Sequence, residues 1–183
     1  MLIDLPKFAL LTALCVTAAY AGDYTIALDF GGPYSDRSVG EMKREFAAIL
    51  KDSGNTFSWR TRNQVAGQSF SNLVVVKFKG KCVLEPVGYL YDERGPYAFT
   101  HASDGNLLPF SEVECDHVTT AVRGAMFGGD YAKADLLLGR ALGRVLAHEF
   151  IHFLRNSKRH DTGGIEKESL SPVELIAPDL PHK

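Results

Sequence analysis

Residues 131–154 hold no proline and carry Leu136, Leu137, Leu138, Ala141, Leu142, Val145, Leu146, Phe150, Ile151, Phe153 and Leu154. That density of apolar residues predicts one long helix, and a helix so apolar has to be wrapped by the rest of the chain. Near its end stand His148, Glu149 and His152, spelling H-E-x-x-H. Histidines four apart on an α-helix lie one turn apart on the same face, so both imidazoles can reach one ion at about 2.0–2.1 Å. Glu149 sits about 100° further round the helix, beside the metal rather than on it. Burying two histidines and a glutamate without partners is costly, and a metal ion is the simplest partner. The plainer reading is a buried helix whose histidines make ordinary hydrogen bonds, with Glu149 at the surface.

Zinc with three protein ligands keeps a fourth position for water and lowers that water's pKa to about 7. A neighbouring carboxylate can then take the proton, which makes Glu149 the candidate catalytic base and hydrolysis the expected chemistry.

On these residues the stretch 147–161 resembles the active-site helix of the zincin superfamily of metallopeptidases. The resemblance covers about one helix. It does not extend to the metzincin branch, whose pattern continues H-E-x-x-H-x-x-G-x-x-H: here Arg155 stands at the glycine and Lys158 at the third ligand, and no methionine follows His152. The run T-H-A-S-D-G-N-L-L-P-F-S-E-V-E-C at 100–115, with this helix and His160, is also similar to secreted bacterial proteins predicted to be zincin-like. The resemblance implies a zincin-like fold, one catalytic Zn2+ and a peptide or protein substrate.

The third ligand is read from local chemistry. The polar run Arg155-Asn156-Ser157-Lys158-Arg159 ends the helix, a turn there returns His160 to the metal, and Gly163-Gly164 supplies the backbone freedom. His160 is therefore expected to complete the site with His148 and His152. Asp161, Glu166, Glu168 and Glu174 compete, although Ser171-Pro172-Val173-Glu174 reads as a helix-capping box that already employs Glu174.

The 183 residues, 45% hydrophobic and 23% charged, suit one packed domain, and a net charge of −2 without a basic cluster argues against nucleic acid. Lys7, the apolar run 8–19 and Ala19-Tyr20-Ala21 read as a signal peptide over 1–21, cleaved before Gly22. The run is too short for a stable membrane anchor. Cys15 within it suggests a lipoprotein, but the bulky Leu14 before it favours simple cleavage. The mature domain, 22–183, is thus expected to be secreted, periplasmic or extracellular. It keeps Cys82 and Cys115, which in an oxidising compartment are most simply one disulfide. The alternative makes Cys115 a zinc ligand.

Taken in order, residues 22–30 read as a strand and 39–51 as a helix capped by Ser38. Strands follow at 56–60, carrying Trp59, and at 72–79. Residues 87–91 and 97–102 read as a hairpin, Ser103-Asp104-Gly105-Asn106 as a turn, 107–118 as a strand with Phe110, Val113 and Cys115 inward, and 119–125 as a short helix or loop. Gly139 and Gly143, one turn apart in the long helix, suggest close packing against the sheet. The expected fold is α+β: a twisted, mostly antiparallel or mixed sheet with one backing helix and a central metal-bearing helix. By chain order 97–118 lies at the sheet edge above the metal, where the resemblance implies that substrate backbone adds as a strand. His101 and Ser103 would then touch substrate, unless His101 is only a surface histidine before a turn. Three functions remain open: a zinc peptidase, a zinc hydrolase of a non-peptide substrate, and a secreted binding or structural domain.

Overall fold

The computed structural model describes residues 22–86, 95–127, 129 and 131–179. The expected signal segment 1–21 and the first arm of the expected hairpin, 87–91, lie outside them. The elements are β1 (Asp23–Phe30), α1 (Asp36–Ile49), β2 (Thr56–Thr61), α2 (Arg62–Val65), β3 (Leu73–Lys79), β4 (Ala98–Ser103), β5 (Asn106–Glu114), α3 (Cys115–Ala125), α4 (Ala134–Arg155) and α5 (Pro172–Ile176). The fold is α+β around one five-stranded mixed sheet, ordered β2-β1-β3-β5-β4.

Parallel pairing dominates that sheet: β1 with β2, β1 with β3 and β3 with β5 are parallel, and β4 with β5 is antiparallel. Of the two arrangements expected, mostly antiparallel or mixed, the sheet takes the mixed one. The cause is visible in chain order, because α1 carries the chain back between β1 and β2 and so lets the two strands run the same way. The antiparallel exception is a tight hairpin, whose Asp104 and Gly105 both take positive φ, 51° and 81°. Strand β4 thus pairs with β5 and lies at the sheet edge.

Ile26, Leu28, Val74, Val76, Phe78 and Val113 project from one face of the sheet into the core. Helices α1 and α4 cover that face. Phe46 of α1 and Phe150 of α4 pack edge-on against each other, and both pack edge-on against Phe57 of β2. Gly139 and Gly143 pack against α1, not against the sheet as expected. A Cβ at Gly139 would lie 2.5 Å from Ser38 O, and one at Gly143 would lie 2.8 Å from Met42 O. Hydrogen alone fits between these backbones.

Other expectations change with this packing. Ser38 is buried inside α1 and donates to Asp135 Oδ1 at 2.9 Å, while Ser35 takes the N-cap position. Strand β5 ends at Glu114, and Cys115 opens α3. Cys115 is disulfide-bonded to Cys82, with Cα atoms 4.9 Å apart. None of the described helices is long and apolar enough to cross a membrane.

Candidate metal centre

The last two turns of α4 present His148 and His152 from one face, and their Nε2 atoms lie 3.0 Å apart. The helix ends at Asn156, whose left-handed backbone (φ 45°, ψ 46°) turns the chain back. Gly164, with φ 69°, makes the second turn that the sequence anticipated. Between them His160 brings its Nε2 to 3.1 Å from that of His152. The three histidines form the metal-capable cluster of the described residues.

Their outer nitrogens determine what the inner ones can do. His148 Nδ1 lies 2.8 Å from the Ile165 carbonyl, and His152 Nδ1 lies 2.7 Å from that of Ser157. A carbonyl only accepts, so both Nδ1 atoms carry the proton and donate. With both rings neutral, an unprotonated Nε2 lone pair of each would face the other at 3.0 Å. Facing lone pairs repel, and a cation between them relieves the repulsion. Tetrahedral zinc at 2.0–2.1 Å would set its nitrogen ligands about 3.3 Å apart, close to the spacing here. Burial pushes the His148 imidazole below its ordinary pKa of 6.5, against a smaller upward pull from the Ile165 carbonyl. The deprotonated form that a metal needs is therefore favoured.

Glu149 follows the first histidine and turns under the sheet edge. It is 7% exposed, and its Oε2 accepts the Thr100 hydroxyl of β4 at 2.8 Å. Thr100 Oγ1 is in turn 2.9 Å from Ser111 Oγ on β5. This buried carboxylate has a fixed partner on one side and open space on the other. A cavity of about 370 Å³, lined by Tyr97, Val145, Leu170 and Pro172, meets His148 and Glu149. A second, of about 310 Å³, reaches the same pair from the side of Leu107, His152 and His160. Ala98 borders both. The result is a groove along β4 with the histidines and the carboxylate at its middle.

The rival ligands stand outside the histidine cluster, and three of them are engaged elsewhere. Glu174 closes the capping box of α5 with Ser171 and binds Lys167 Nζ at 2.6 Å through each oxygen. The Lys167 hydrogen bonds first, then those from Ser171, hold its carboxyl down to about 2. Glu166 is paired with Arg155, and Cys115 is in the disulfide. Asp161 is outside the cluster and donates its backbone N–H to Glu166 O at 2.9 Å. Glu168 lines both cavities without joining the cluster.

The expected substrate-edge residues do not reach the groove. His101 packs between the rings of Phe99 and Phe110, with its Nε2 3.4 Å from Glu112 Oε2. Ser103 donates to Asp104 Oδ2 in the hairpin turn. Sequence reasoning missed Thr100, although strand alternation puts it on the face of the buried Ala98. It also missed the Ile165 and Ser157 carbonyls, which no residue type announces. Comparison with protein-family models, with curated proteins and with solved structures gives no match for this chain.

Proposed function

We propose that the chain is an exported, zinc-dependent metallopeptidase with a zincin-like arrangement of its site. The observation that carries this reading is the convergence of three imidazole Nε2 atoms beside a buried glutamate, under the antiparallel edge strand of a mixed sheet. His148, His152 and His160 would hold the ion, and their fit rests on the two fixed Nδ1–H donors. Zinc, when bound, would polarise the scissile carbonyl and lower the pKa of its water to about 7.

The protein's own part follows from its geometry. Edge strand β4 offers backbone groups to an extended peptide, so the scissile bond would lie across the middle of the groove. Glu149 takes the proton of the attacking water as its oxygen bonds to the carbonyl carbon. It returns that proton to the amide nitrogen as the carbon–nitrogen bond breaks, leaving a carboxylic acid and an amine, and the acid then gives up water's second proton to the amine. Thr100 keeps the carboxylate turned toward the groove through both transfers.

The test pairs metal content with turnover. Purified mature protein should carry one zinc per chain, and His160→Ala should lose most of it. Glu149→Gln should keep the zinc and lose at least about a hundredfold in peptide hydrolysis, the least expected for a missing acid–base group. A protein without zinc after reconstitution, or full activity in Glu149→Gln, would sink the proposal. Zinc retained with no cleavage of any peptide in a degenerate library would leave a binding domain or a hydrolase of other bonds.

A further inference from the structure

The loop that delivers His160 has a neck. Arg155, the last residue of α4, donates Nη2 to Glu166 Oε1 at 3.0 Å, while its Nη1 engages Oε2 of the same carboxylate. These two residues flank the segment that holds His160 and close it at its base. Glu166 does more than pair. Its backbone carbonyl accepts the N–H of Asp161, the residue after His160, at 2.9 Å. The residue before it, Ile165, supplies the carbonyl that fixes His148 Nδ1. Arg155 itself lies on the helix turn that follows His152.

We propose that the Arg155–Glu166 ion pair is a positioning clasp that sets the geometry of His148 and His160, two of the three candidate metal-binding histidines. The inference rests on the metal-centre reading above. Packing holds residues 164–166 from one side, where Gly164 is buried and Ile165 lies against the core, while an open cavity of about 450 Å³, bordered by Leu50, Ile151, Leu154 and Ile165, leaves room for them to shift. With the clasp released, Ile165 and Asp161 are free to drift. The His148 ring then loses its fixed tautomer, and His160 has to be ordered at the moment of binding. The pair has the fork-on-fork form that gives an arginine–carboxylate contact its directionality, and the Glu166 side chain is only 10% exposed. Arg155 thus has a local use at the position where the metzincin pattern carries glycine.

Three measurements on the full mature chain test the clasp. In competition with a zinc chelator, Glu166→Gln and Arg155→Ala should each bind zinc about tenfold more weakly, the low end for a residue supporting a ligand. The charge-swapped double variant, Arg155→Glu with Glu166→Arg, should recover most of that loss. Melting of the metal-free single variants should change little, since Arg155 is 55% exposed. In the nitrogen-15 histidine spectrum of metal-free protein, His148 should be Nδ1-protonated in the wild type and a mixture of tautomers in the single variants. Unchanged affinity and tautomer would overturn the clasp. So would an affinity loss that follows a fall in metal-free stability and is not recovered by the swap. A wild type that binds no zinc would refute the metal reading alone, and the tautomer spectra would still decide for or against the clasp.

Discussion

At the scale of the residue, the decisive contact is Thr100 with Glu149. Glu149 is 7% exposed, a buried polar group needs hydrogen-bond partners in place of water, and the Thr100 hydroxyl at 2.8 Å is one. Thr100→Val keeps the volume and the β-branch but removes that bond, which to a charged acceptor contributes about 1.5–3 kcal/mol. Zinc content should stay at the wild-type level while kcat/KM for peptide hydrolysis falls about tenfold or more. An unchanged rate would show that Thr100 does not orient the base. Thr100 also marks what the sequence conceals at this scale. His148, Glu149, His152 and His160 stand out because few side chains offer their chemistry, and the structure brings together the two histidines paired by helix spacing and the third expected from the turn after the helix. Thr100 is one hydroxyl among many, and its role depends on a strand pairing that places β4 over α4. The carbonyls of Ile165 and Ser157 carry no signature at all, because every residue has one.

At the scale of the element, the clearest case is α5, a five-residue helix held by its cap. Ser171 accepts the Glu174 backbone N–H at 3.3 Å, and Glu174 Oε2 accepts the Ser171 backbone N–H at 2.8 Å. The same carboxylate binds Lys167, a residue of the cavity wall beside His148. Its pKa of about 2 in the fold lies below the ordinary 4.5, so the group binds its proton more weakly folded than unfolded. The sign follows from linkage: the contribution is complete above about pH 4.5 and is lost as pH falls toward 2. Urea midpoints of wild type and Glu174→Gln should therefore differ most near neutrality and converge at low pH. A difference that stays constant down to pH 2 would mean that the charge of Glu174 contributes nothing. This capping box was legible because it is local chemistry, written in four consecutive residues. The partner of Gly139 and Gly143 was not. Small residues one turn apart announce a close approach without saying to what, and here α1 comes close enough that its Ser38 and Met42 carbonyls leave no room for a Cβ. The sequence leaves the sheet mostly antiparallel or mixed for a related reason, since alternation along a strand defines its two faces but not the sense of its neighbour.

At the scale of the whole molecule, the candidate metal groove and the disulfide approach each other at the start of β4, where Tyr97 O accepts the N–H of Glu114 at 2.8 Å, next to Cys115. The groove depends on β4, the end of α4 and residues 156–168, whereas Cys82–Cys115 ties the chain just after β3 to the start of α3. Cys82 also donates its backbone N–H to Pro33 O at 2.9 Å, so the bond gathers the chain beyond β1, β3 and β5 at one corner. Export to an oxidising compartment, as proposed, would let it form. Closing a loop with a sequence separation of 33 removes unfolded-state entropy equivalent to about 4 kcal/mol at 25 °C on the chain-entropy estimate. For a domain of this size that corresponds to about 10 °C in Tm. The double variant Cys82→Ala with Cys115→Ala should melt lower by roughly that amount, and so should wild type under reducing conditions. Its zinc content should nonetheless match the wild type at temperatures where it is folded, because no histidine of the cluster touches either sulfur. A reduced protein that loses zinc while still folded would show that the two corners are coupled through the sheet. A reduced protein with unchanged Tm would show that burial of both sulfurs, 2% and 0% exposed, is enough to hold that corner without the bond.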